Sequence, residues 1–235
     1  MRDRVRRLAR RMGYEVRQYT PLHSFAAARE ELLQRRGVDV VLDVGANAGQ
    51  YGSMLRELGF AGRLVSLEPV AEAFAELERL AAADGAWEAV RVAASDADGE
   101  ITLNVTADSR SSSVLARNER FADKAGWAPK ESRRVPARRL DGLVGELLRP
   151  GERAHLKLDI QGYERHVLAG AGDALGRFEA LELELSVTPL YVDQPQLAEM
   201  LPLLAERGFR PVCLEPILLD DDGLLMELDG LFART

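Results

Sequence analysis

The chain holds one cysteine, Cys213, so no intrachain disulfide can form and the sequence is not a small bridge-held secreted scaffold. In the run Pro211-Val212-Cys213-Leu214 that thiol reads as a small buried hydrophobe. No apolar run approaches the roughly 18 residues that a membrane-spanning helix needs. The N-terminal arginines are not followed by an apolar core and a small-residue cleavage site, so no secretory signal is read there and a cytoplasmic location is expected. Positive charge is in deficit. A net charge of −7 argues against a protein that wraps nucleic acid, because phosphate contacts need a cationic face. The expected partners therefore include neither nucleic acid nor an integral membrane association, and a homo-oligomer stays open. Repeats and low-complexity tracts are absent as well.

What the sequence has is alternation. Its 235 residues suit a single α/β domain, which buries about 70–75% of its unfolded surface. Short β-like runs alternate with helical stretches, the pattern of a mostly parallel sheet. Strands are expected at 38–44, 63–67, 88–93, 154–159 and 180–186. Helices are expected at 51–58, 71–83, 163–175 and 194–207. The runs 210–219 and 224–233, around Asp220-Asp221-Asp222-Gly223, read as a closing antiparallel hairpin. The expected fold is a Rossmann-like α/β domain, a mostly parallel seven-stranded sheet with helices on both faces. An alternating run covers 100–106, and 107–134 reads as polar and irregular.

The segment Leu42-Asp43-Val44-Gly45-Ala46-Asn47-Ala48-Gly49-Gln50 leaves a buried strand and enters a helix, where open α/β sheets bind ligands. Gly45 and Gly49 permit a tight turn and close backbone approach. A dinucleotide fingerprint would need glycine where Asn47 and Gln50 stand, and no phosphate-loop Gly-Lys-Ser/Thr follows. These departures weigh against the alternative of an NAD(P)-dependent oxidoreductase. An acid before a glycine-poor turn suits S-adenosylmethionine (SAM): Asp43 for its ammonium, Asn47 and loop N–H groups for its carboxylate. Glu68, ending the second strand, is placed to bond both ribose hydroxyls, and Ser95-Asp96, ending the third, to meet the adenine edge.

At this point the sequence resembles the FkbM family of SAM-dependent class I methyltransferases. The resemblance is carried by LDVGANAGQYG (42–52), VSLEPVAEAFAELE (65–78), SSS (111–113), VPARRLD (135–141), LKLDIQGYERHVLAGA (156–171) and LEPILLDDDGLLMELDGLFAR (214–234). The Asp-Ile-Gln-Gly-Tyr-Glu stretch is its most specific part. The family implies O-methylation, often of sugars or secondary-metabolite hydroxyls, with a small-molecule or oligosaccharide acceptor. A non-catalytic SAM-binding module is the competing expectation, disfavoured by a candidate base at Asp159.

Methyl transfer to an alcohol needs alignment and removal of a proton. Asp159 closes the fourth strand and is the first candidate for base or acceptor orienter; helix capping is its bland role. Glu164 falls in a first helical turn, where the dipole favours an acid. Glu182 and Glu184 share one strand face, and Glu184, nearer the C-terminal end, is the better site candidate. With Asp159 it could hold a divalent ion such as Mg²⁺, the lesser reading. His166 is a second base candidate, His155 reads as structural, and His23 lies in a segment (1–30) that can fold over the pocket. In the stretch 107–134, Arg110, Ser111, Ser112, Ser113 and Trp127 are candidates for binding hydroxyls and stacking on a sugar. Near the N-terminus, Val5, Leu8 and Met12 form an apolar stripe among arginines, expected to dock on its own domain or on a partner subunit, with a membrane surface or an anionic acceptor as the alternative.

Overall fold

The computed structural model describes residues 2–106, 111–121 and 129–235, with side chains from Arg4 onward. Arg110 and Trp127 lie outside the described residues. Along the chain the elements are α1 (Arg2–Arg11), α2 (Phe25–Arg36), β1 (Val40–Val44), α3 (Gln50–Glu57), β2 (Arg63–Leu67), α4 (Ala71–Ala83), β3 (Trp87–Val90), β4 (Ala93–Ser95), β5 (Gly99–Thr106), β6 (Pro129–Arg139), α5 (Leu140–Leu147), β7 (Ala154–Leu158), α6 (Glu164–Ala171), β8 (Phe178–Ser186), α7 (Leu197–Glu206), β9 (Phe209–Leu219) and β10 (Leu225–Arg234).

Seven strands form one sheet in the order β3-β2-β1-β7-β8-β10-β9. The first five run parallel, and β10 lies antiparallel to both β8 and β9. The expected mostly parallel sheet with a C-terminal hairpin is therefore what the chain builds. Every residue of β1 is buried, as befits a strand covered on both faces. Its side chains alternate between two cores. Val40, Leu42 and Val44 pack with Leu140 and Leu143 of α5, Val167 of α6 and Leu204 of α7. Val41 packs on the other face with Leu33 of α2, Leu55 of α3 and Leu77 of α4. The chain leaves β1 for one side and β7 returns on the other, so the switch point, where such sheets bind ligands, falls between them.

Three expectations are corrected. The run 88–93 is not one strand: the N–H of Val92 turns back to the carbonyl of Val90 at 3.1 Å, a turn of γ type that ends β3. Ala93–Ser95 then joins a second sheet of three strands, β4-β6-β5. The second correction follows, since 129–134 is not irregular but the first half of β6, paired antiparallel to β5. Only Val135 and Ala137 of that strand are buried, so its polar exposed half hides the period. Finally, the stripe on α1 does not dock on its own domain: Val5, Leu8 and Met12 stay 52%, 60% and 63% exposed. Among the described residues no helix is long and apolar enough to cross a membrane.

Candidate functional site

Two loops meet at the switch point. The N–H groups of Gly45 and Ala46 both donate to the carbonyl of Leu67 at 3.0 Å, tying the β1 loop to the end of β2. Gly45 has φ +82°, and a Cβ there would sit 2.1 Å from the backbone oxygen of Asp159. Only glycine permits this contact between the loops after β1 and β7. Asn47 is left-handed at φ +48°. Its N–H donates to Glu68 Oε2 at 2.9 Å, and Val70 N–H donates to Glu68 Oε1 at 2.7 Å. Burial pushes the Glu68 carboxyl up to about 7 against the pull of those two backbone donors. Each oxygen keeps a lone pair for a further donor.

Beside these loops lies a cavity of about 390 Å³. One end is apolar, formed by Pro69, Val70, Val92, Ala94, Ile101 and Leu103. Ionic groups line the other. The register explains their convergence: Asp43 pairs with Ser66 on one side and Lys157 on the other, and Lys157 pairs with Glu182. A polar row thus crosses the middle of the sheet. Lys157 Nζ lies 3.6 Å from Asp43 Oδ1 and 3.1 Å from Asp159 Oδ2. Asp43 is 1% exposed and outside the cavity lining, so its charge is spent on Lys157 beneath the site. Burial alone would lower the Lys157 ammonium, but the carboxylates of Asp159, Asp43 and Glu182 hold it above its usual range.

Arg29 of α2 closes this row from above. Its Nε and Nη2 each donate to Glu182 at 2.6 Å. The Tyr51 hydroxyl donates to Glu182 Oε2 at 2.8 Å and lies 3.2 Å from His155 Nε2. Burial works to neutralise Glu182, but His155 and Arg29 outweigh it and bring its carboxyl down to about 2. His155, fully buried, is structural, as expected.

The acidic end is different. Glu184 and Asp229 are direct cross-strand partners on β8 and β10, an arrangement in which two charges oppose each other. Burial, with Glu182 and Asp159 nearby, pushes Asp229 up to about 7. Burial and then Asp159 and Glu227 raise Glu184 well above the usual carboxylate range. Gln161 joins the group: its Nε2 donates to Glu184 Oε2 at 2.6 Å and to Asp159 Oδ1 at 3.2 Å. The left-handed backbone of Gln161, φ +57°, is held by Ser113 Oγ donating to its carbonyl at 2.6 Å. The Tyr191 hydroxyl donates to its Oε1 at 2.8 Å. A non-glycine residue held left-handed by its neighbours is strain of the kind that clusters at functional sites.

The structure brings together Gly45, Asn47, Glu68, Ser112, Asp159, Glu182 and Glu184 in the cavity wall. Gly49 instead begins α3, against Leu80, Leu77 and Trp87. Ser95 bonds to Tyr163 and Asp96, one residue beyond Ala94 and off the lining. Of the other serines, Ser113 braces Gln161, and Ser111 offers its carbonyl to Tyr191. His166 stacks on Tyr163 with ring centres 4.3 Å apart and does not reach the cavity. Glu164 accepts from the N–H groups of Ile160 and Gly162, fixing the loop after β7. Among the described residues no group of three or more His, Cys, Asp or Glu has a metal-binding arrangement, so nothing supports the divalent-ion reading. Arg29, Tyr51, Lys157, Gln161 and Asp229 went unread. Arg29 carried a signal, a charge between Phe25 and Leu32 on the apolar face of its helix.

Residues 43–211 match the family model described as the methyltransferase FkbM domain. No curated protein matches the sequence. Among solved structures, magnesium protoporphyrin IX methyltransferase from Synechocystis PCC 6803, crystallised with bound SAM, is similar at 10% identity and TM-score 0.51, over 89% of this chain and 77% of that one. WbdD is similar at 15% identity and TM-score 0.52, over 94% of this chain but 41% of WbdD. At these identities the likeness is one of fold.

Proposed function

The chain belongs to the FkbM methyltransferase family, and from that premise we propose that it moves a methyl group from SAM to a hydroxyl of a sugar, glycoside or glycosylated natural product. Bound SAM supplies a methyl carbon made electrophilic by its sulfonium. Glu68 is placed to accept from the ribose hydroxyls, with both its oxygens already oriented by the N–H groups of Asn47 and Val70. The apolar end formed by Pro69, Val92, Ala94 and Leu103 suits an adenine ring, and the side chains of Asn47 and Gln50 on the same wall suit the amino-acid end. Ligand sites are typically cavities of about 300–1,000 Å³ with a few convergent polar groups, and this one fits that description. The missing Cβ of Gly45 lets the Asp159 backbone close against the β1 loop, which brings the two strand ends of the cavity together.

The observation that carries the hydroxyl as acceptor is the carboxyl group at the opposite end. Asp159, Glu184 and Asp229 line the cavity together, and an alcohol must lose a proton as its oxygen attacks. A base works best when its pKa lies near the working pH, and Asp229 is pushed up to about 7. Asp159 takes the acceptor proton or orients the hydroxyl, and Gln161 fixes its carboxylate through the bond to Oδ1. Lys157 Nζ donates to Asp159 Oδ2 at 3.1 Å and holds the carboxylate from its other side. Ser112 on the lining adds a hydroxyl donor for a polyol.

The test is to incubate the chain with methyl-labelled SAM and a panel of sugars, glycosides, glycosylated metabolites and amines. Label on a hydroxyl oxygen is expected. Label on nitrogen alone would overturn the acceptor class, and absence of SAM binding by calorimetry would overturn the cofactor.

A further inference from the structure

The helix α1 is the most unbalanced surface of the molecule. Its sequence, RDRVRRLARR, holds six arginines and one aspartate, while the chain as a whole carries −7. Val5, Leu8 and Met12, at i, i+3 and i+7, lie on one face and are 52%, 60% and 63% exposed. Arg4 and Arg11 border this stripe along one edge of the helical wheel, with Arg7 next and Arg10 and Arg6 on the opposite face. The apolar exposure continues past the helix in Tyr14, Val16, Tyr19 and Leu22, the last 85% exposed. Beneath lies a hollow of about 290 Å³ walled by Arg6, Arg10, Val16, Arg17 and His23, with Glu15. Glu15 is paired with Arg17 at 2.6 Å, so Arg6 and Arg10 leave that hollow cationic. Nothing in the catalytic cavity uses any of these groups.

We propose that α1 and the turn after it form a peripheral docking surface for an anionic phospholipid bilayer. An apolar stripe bordered by arginines on an otherwise acidic body is the composition that places a helix in the headgroup plane. Apolar side chains enter the acyl boundary while the guanidinium groups stay with lipid phosphates. The charge asymmetry also sets orientation, since an anionic surface attracts the helix and repels the acidic remainder. A nucleic acid would satisfy the arginines but leave the stripe in water. A second copy pairing stripe to stripe would bring two sets of arginines together. The lipid surface satisfies both features at once.

The test uses the full chain and co-sedimentation with vesicles of phosphatidylcholine alone or mixed with phosphatidylglycerol. Binding to the mixed vesicles only, weakened by high salt, is expected. Each arginine near an anionic surface contributes roughly fivefold in partitioning, so Arg4→Gln with Arg11→Gln, the pair beside the stripe, should weaken binding about 25-fold. Leu8→Ser removes the central apolar anchor and should weaken it roughly tenfold or more. Circular dichroism with and without vesicles checks that each variant keeps its helix. Failure to bind mixed vesicles overturns the proposal, as does equal binding to both kinds or insensitivity to both variants. A dimer in light scattering that Leu8→Ser dissociates would assign the stripe to a second copy instead.

Discussion

Replacing Arg29 by Met should destabilise the protein by about 3 kcal/mol, the low end of the range for removing one partner of a buried ion pair. The reasoning starts from geometry. Both bonds from Arg29 to Glu182 are 2.6 Å, and the two residues are 8% and 4% exposed. Met fills the space of the stem but leaves a buried carboxylate without its cation. The Tyr51 bond at 2.8 Å survives and keeps the cost from the top of the range. Urea unfolding should place the midpoint roughly 1 M lower, given slopes of a few kcal/mol per molar for a chain of this size. The pH dependence is diagnostic. In the parent, Glu182 titrates near 2 against an ordinary 4.5, so its contribution is present above pH 4.5 and lost as pH falls toward 2. In the variant the pull of Arg29 is lost while that of His155 remains, so the carboxyl titrates higher than in the parent, and the deficit is largest at neutral pH and shrinks on acidification. Adding Glu182→Gln removes the charge and should recover most of the loss. A cost below about 1 kcal/mol, or no recovery in the double variant, would refute the claim that the pair is coupled through burial.

Glu68→Gln should weaken SAM binding at least tenfold in titration calorimetry, because each bond to a charged acceptor is worth roughly 1.5–3 kcal/mol; unchanged affinity would remove Glu68 from the ribose site. Asp159→Asn keeps the shape and should lower kcat by about 10²–10⁴-fold with SAM affinity within a few-fold; a full-rate variant would move the proton acceptor to Glu184 or Asp229. Glu68, Glu164, Glu227 and Asp229 are all raised to about 7, chiefly by burial. The folded state therefore holds more protons than the unfolded state between their ordinary and raised values, and stability falls as pH rises through that window. The ligand-free protein should melt at a higher temperature near pH 5 than near pH 8, by an amount on the order of a few kcal/mol in stability. A melt that is flat or rises between those values would show the carboxyls to be ionised throughout.

Much of the fold was written in local pattern. The strand 63–67 and the helix 71–83 were legible to the residue because apolar period, the Glu-Pro stop and the alanine-rich run are short-range signals. The glycine turn after β1 and the acid ending β2 were legible for the same reason, since both sit at strand ends that local sequence defines. The split of 88–93 and the strand beginning at Pro129 were not, because a turn at Arg91 and a mostly exposed strand leave no period to read. The site's ionic groups needed more. Arg29 meets Glu182 across 153 residues, and Glu184 opposes Asp229 through a strand register that a slip of one residue would abolish. The sequence by itself determined which strand ends meet at the cavity. Tertiary structure decided which charges are paired, which carboxyls burial raises, and that Asp43 serves Lys157 beneath the cavity, since burial and neighbours from distant segments set each group's ionisation.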